Sequence, residues 1–236
     1  MGYPIIADTL SLRQFYKKKG DSSMPVIPKL EYKGSYSKTI GLKGTDAYDI
    51  PFYKPKEYFI SSDNYTRFVK ACEQNVRRHE DYTVFKNWVT NVVGIDFCQI
   101  TPNVKLGDAT IEMHHAFFNL YDTCSIVLNK RIECGEKVTT FAVADEVLDE
   151  HFACHIPVVM LATTNHEAVT NRDIWLNVKS GFGYISQFIE KYAPYMGPVH
   201  KNRIMTAIKL SYEIDSFDNN IFDDTDRIKR VMKKVD

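Results

Sequence analysis

The chain has 236 residues, 44% hydrophobic and 25% charged, enough to bury a sizeable core and ordinary for a globular protein, which excludes wholesale disorder. Thirty Lys and Arg balance thirty Asp and Glu, so no overall field draws the molecule to nucleic acid, and any polyanion contact has to come from a local patch. There is no basic leader followed by an apolar run and no uncharged apolar stretch of about 18 residues, so neither secretion nor a membrane partner is expected.

Residues 1–60 are dense in Tyr, Lys, Gly, Ser and Pro, and Pro or Gly every few residues prevents long helices. They read as an extended N-terminal arm with ten Lys or Arg against six Asp or Glu, including Lys17, Lys18 and Lys19. Lysines interleaved with Tyr32, Tyr36, Tyr48, Tyr53 and Tyr58 suit phosphates and stacked bases. They equally suit an arm that packs its tyrosines on a neighbouring protein or on its own body, and the small charge excess favours that second use.

From residue 61 to 214 the pattern is that of an α+β domain. Tyr65, Phe68, Val69, Cys72 and Val76 recur at helical steps, so a helix capped by Ser62 or Asp63 runs to about Arg78. Tyr82, Phe85, Trp88, Val89 and Val92 form a second, closed by Gly94. Arg77 and Arg78 between them either touch phosphate or complement the helix C-terminal dipole.

Residues of about 95–178 hold the candidate core. Ile95–Ile100 and Ala109–His115 read as an antiparallel pair, with Glu112 and His114 on one face and Met113 and His115 on the other. Two helices are predicted next, over Phe117–Ile132 and, capped by Thr139 or Thr140, over Phe141–Cys154. His151 and His155 stand four apart where that second helix ends, and read as surface or boundary histidines. Val158–Leu161 is a short buried strand, Thr163 or Thr164 opens a helix carrying His166, and Trp175–Val178 forms a further short strand. Two amphipathic helices, Phe182–Tyr195 and Val199–Ile214, complete the domain. Residues 215–236 are a charged C-terminal tail, acidic at Asp215, Asp218, Asp223, Asp224 and Asp226, then basic, and read as a solvated terminal helix or a frayed end. The five cysteines (Cys72, Cys98, Cys124, Cys134, Cys154) are never spaced Cys-x-x-Cys and read as buried thiols in a reducing compartment.

Two pieces, His114-His115 and Val159-Met160-Leu161-Ala-Thr-Thr-Asn165-His166, together resemble the HNH or His-Me finger nucleases, in which a hairpin ending in paired histidines packs on a helix carrying another. The wider sequence also resembles phage-encoded proteins, without one motif that carries the likeness. The nuclease resemblance implies a ββα-like core within a mostly helical domain and a metal-dependent endonuclease hydrolysing phosphodiester bonds in DNA. It implies His115 as general base and His114, His166 and Asn171 around one divalent metal (Mg²⁺, Mn²⁺ or Zn²⁺), with Glu112 or Asn165 as alternatives to Asn171 for an oxygen ligand or to orient a histidine, and Lys17, Lys18, Lys19, Arg77 and Arg78 on the nucleic acid.

The chain departs from that family at several points. His115 and His166 are 51 residues apart across two predicted helices, where the family has a compact loop. Thr170 stands where a second helix histidine commonly falls, Pro157 stands near the place of the middle asparagine, and no zinc-knuckle cysteines flank the site. The alternative is a catalytically inactive phage virion or structural protein that binds a neighbouring subunit, or another copy of itself, through its arm. Near-zero net charge favours it. The corresponding locations are the host-cell cytoplasm for the enzyme and the virion for the structural protein.

Overall fold

Ser61 starts the first helix by accepting a hydrogen bond from the Asn64 backbone N–H at 3.4 Å. In the computed structural model, which describes residues 54–176, 180–213 and 225–235, helix α1 covers Ser62–Arg78 and buries Phe68, Val69, Cys72 and Val76 along one face. Just ahead of it a 3₁₀ turn, Lys56–Ile60, lays Phe59 edge-on against Phe68, their ring centroids 5.0 Å apart. His79 both ends α1 and caps α2 (Glu80–Asn91), its Nδ1 accepting from the Asp81 N–H at 3.1 Å. Asn119 and Thr139 cap α3 (Leu120–Glu133) and α4 (Thr140–Phe152) in the same way, at 2.8 and 3.0 Å.

The sheet has two antiparallel strands, β1 (Ile111–His115) and β2 (Val158–Ala162), in a register that sets Ile111 opposite Ala162 and His115 opposite Val158. Helix α5 (Thr163–Thr170) follows β2 directly, so a small antiparallel pair and a helix do lie within a mostly helical α+β domain. The expected pairing of Ile95–Ile100 with β1 is corrected. Every residue of β2 is buried, so its peptide groups need partners inside the molecule, and β1 supplies the ladder despite the two helices between them. Ile95–Ile100 instead lies alongside β2, where the Gln99 N–H donates to the Met160 carbonyl at 2.9 Å and Gln99 Oε1 accepts from the Met160 N–H at 2.8 Å. Phe182 bonds both ways with Val158, at 2.8 and 3.1 Å, and extends the sheet by one bridge.

Helix α6 (Ile185–Tyr192), the 3₁₀ turn Ala193–Tyr195 and α7 (Pro198–Glu213) close the helical side. Helix α8 (Thr225–Val235) lies in the stretch expected as a charged tail, and its Ile228, Val231 and Met232 join the core shared by α1, α3, α4, α6 and α7. Its hydrophobic stripe at helical spacing decides this, since the charges between fall on the other face. A second apolar cluster surrounds the sheet, built from β1, β2, α2, Phe152, Phe182 and Tyr184. Lys17, Lys18 and Lys19, the acidic stretch 214–224 and residues 177–179 lie outside the described residues, and Trp175 and Leu176, expected to start a strand, are in none. Four cysteines are buried, as expected, whereas Cys134 is exposed.

Candidate functional site

Strand alternation turns Glu112 and His114 to one face of β1, and the start of α5 brings His166 up to meet them. The rings of His114 and His166 stand edge to face with centroids 5.0 Å apart. Glu112 Oε2 lies 3.0 Å from His166 Nδ1, while Glu112 Oε1 accepts from the Thr163 hydroxyl at 3.3 Å. Burial, with the His166 ring beside it, pushes the His114 pKa down to about 4, so this imidazole is neutral at pH 7.

His115 points the other way, into the molecule, and only 8% of it is exposed. Its Nε2 lies 3.0 Å from Nε2 of His151, which is completely buried on α4. His151 Nδ1 is 2.7 Å from the Val147 carbonyl and must donate to it, so His151 Nε2 carries a lone pair and accepts from His115 Nε2–H. Tyr82 stacks on His115 and meets His151 edge-on, and Phe85 closes the other side of His151. Burial holds both imidazoles below the usual histidine range, His151 at about 4. A buried imidazole whose Nε2 is committed in this way is not placed to take a proton from a water attacking a phosphodiester.

The boundary position expected for His151 is therefore corrected, whereas half-buried His155 does pair at the helix end, with Glu150 at 2.7 Å. Asn171 caps the C-terminus of α5 and is exposed. Five residues from His166 on a short helix, it is turned about 140° away from that histidine. Among the described residues no three His, Cys, Asp or Glu side chains converge in a metal-holding group. Arg77 bonds Glu73 at 2.9 Å and Arg78 is exposed at the end of α1.

The His114 and His166 face opens on a groove of about 870 Å³. Its walls come from β1 and the residues after it, α5 with its C-terminal loop, α7, and the end of α1. Met113, Phe117, Val169 and Leu176 give it apolar lining, and Trp175 and Val199 remain 51% and 62% exposed there. Arg77, Arg172 and Arg203 line it against a single carboxylate, Glu73. The sequence reading missed Arg172, Trp175 and Arg203 because they come from segments with no shared motif. The signal available in advance was Trp175, one of only two tryptophans, outside any predicted core stripe.

A family model described as bacteriophage G278-like virion protein matches residues 18–236. The chain belongs to that virion protein family. The match spans nearly the whole sequence, where the nuclease resemblance rested on two short pieces, and it overturns the reading of the chain as an HNH endonuclease. With it goes the nuclease assignment, and the metal-binding and DNA-binding assignments that the resemblance implied are left without support from the family. Phage origin stands, the chain is a component of the virion, and its company is other phage proteins. No curated protein and no solved structure matches the chain. Among the described residues no helix is long and apolar enough to cross a membrane.

Proposed function

We propose that this chain is a non-catalytic structural component of the phage virion whose N-terminal arm, residues 1–60, docks on a neighbouring subunit. The observation that carries the reading is the match to a virion protein family over residues 18–236. The packing of the histidines supports it. His115 and His151 satisfy one another inside the core, and His166 is engaged by Glu112, so these side chains tie elements together. The root of the arm is anchored, because Phe59 packs on Phe68 and the Lys54 N–H donates to the Val138 carbonyl at 2.9 Å. A fixed root with lysines and tyrosines beyond it suits an arm that adds contacts to a neighbour without rebuilding either core.

Lysine-reactive cross-linking of intact virions, read by mass spectrometry, tests the reading. The expected result is a set of links from Lys17, Lys18 and Lys19 to another virion chain or another copy. Links from these three lysines only to the body of their own chain, in virions that contain the protein, would sink the docking arm.

A further inference from the structure

Arg172 holds a conformation that its residue type disfavours. Its φ is +68°, in the left-handed region. The Arg172 N–H bonds the Val169 carbonyl at 3.1 Å and the Asp173 N–H bonds the Ala168 carbonyl at 2.8 Å. This is the paired bonding that closes a helix at a left-handed residue, a place that glycine fills at least cost. Folding alone therefore gives no reason for a long cationic side chain here. Arg172 lines the groove and has no carboxylate partner among the described residues, whereas Arg77 pairs with Glu73 and Arg203 with Asp122. Three guanidiniums, an exposed Trp175 and an exposed Val199 thus line one concave surface with one carboxylate among them. Its complement is a chain segment with several carboxylates and aromatic side chains.

The sequence contains such a segment. Residues 214–224 carry Asp215, Asp218, Asp223 and Asp224 with Phe217, Phe222 and Ile221, and no Lys or Arg. The first 53 residues carry eight Lys or Arg against five Asp or Glu and present the wrong sign. Helix α7 supplies Leu210 to the groove and ends at Glu213, so the acidic stretch follows immediately after a wall residue. Two copies related by a twofold axis, grooves facing, can each place this stretch in the other, a self-complementary contact. The geometry points to the groove as the seat for residues 214–224 of a second copy of this chain, a carboxylate on Arg172 and phenylalanines against Trp175 and Val199. The assignment shares with the proposed function only the premise that copies or neighbours assemble, and it does not use the N-terminal arm.

The test uses the full chain and a fluorescent peptide of residues 214–224. The expected result is saturable binding that weakens with salt and falls at least about tenfold when the four aspartates become asparagines. Arg172→Gly should weaken it to a similar extent while melting at the same temperature or higher, since glycine suits the left-handed position. In sedimentation velocity the wild type should self-associate with rising concentration and Arg172→Gly should shift towards monomer. Equal binding by Arg172→Gly, equal binding of the neutral peptide, no binding, or a chain monomeric at every concentration would each overturn the assignment. Because the cross-links from Lys17–Lys19 report on the arm, the two readings fail separately.

Discussion

The Nε2 atoms of His115 and His151 lie 3.0 Å apart, joining the end of β1 to the last turn of α4 through a single proton. The bond connects the sheet cluster to the helical cluster, with Tyr82 and Phe85 of α2 packed around it. A double-mutant cycle shows whether it acts as a pair. His151→Phe leaves His115 Nε2–H buried without an acceptor and should cost about 1–3 kcal/mol. The double change His115→Phe with His151→Phe should cost clearly less than the sum of the single changes, because no orphan donor or acceptor remains. Denaturant melts measure all four states; strict additivity would mean that the bond contributes nothing.

Acid should weaken the fold through these histidines. His114 and His151 are both held at about 4, and His115 is also depressed, against about 6.5 in an unfolded chain. Between those values the unfolded chain binds more protons, so stability is complete above about pH 6.5 and declines as pH falls towards 4. The buried pair, His115 and His151, should account for much of that loss. Asp149 opposes it. Burial, followed by the charges of Asp145 and Glu150, raises its pKa to about 6, so protonation below pH 6 relieves the folded state. Melting temperatures of the wild type and Asp149→Asn across pH 7 to 4 should show the steeper decline in the variant, and a flat wild-type profile would contradict the histidine account.

Tyr192 is fully buried and its hydroxyl donates to Glu146 Oε1 at 2.7 Å and to Glu150 Oε1 at 3.0 Å. Lys191 adds a bond to the same Glu150 oxygen at 2.5 Å, so α6 is tied to α4 by neighbouring residues. Tyr192→Phe removes a donor shared by two buried carboxylates and should destabilise by about 1–3 kcal/mol. Chemical denaturation reads this directly. A change within about 0.5 kcal/mol would show that Lys191 and His155 satisfy Glu150 without it.

Gly183 stands at φ +132°, and a Cβ there would lie 2.8 Å from the Cys154 carbonyl oxygen and 3.2 Å from the Pro157 Cα. Both obstacles are backbone, so Gly183→Ala should destabilise by more than about 1 kcal/mol and loosen the bridge between Val158 and Phe182. Amide hydrogen exchange at Phe182 and Val158 localises the effect. Unchanged protection there would mean that the loop shifts without disturbing the sheet.

Most helices were legible because their apolar residues recur at three and four steps, and the Thr139 cap of α4 was legible with them. The cap of α1 is Ser61, one residue ahead of the expected Ser62 or Asp63, and Asn119 caps α3, which starts three residues after the expected Phe117. The opposite facing of Glu112–His114 and Met113–His115 was legible too, since it needs only the two-residue period of a strand. What local pattern could not choose was the partner of that strand. The segment next along the chain looked sufficient, and only the need to pair every peptide of buried β2 selects β1 across two helices. His151 was misjudged for the same reason, because a histidine at a helix end is assigned to the surface until a second imidazole is found to meet it inside. The groove also belongs wholly to the tertiary structure. Arg77, Arg172, Trp175 and Arg203 are spread over 126 positions and acquire a common role only where α1, the loop after α5 and α7 come together. Period and caps are properties of a few neighbouring residues, whereas pairing and charge balance are settled by residues the chain brings together from far apart.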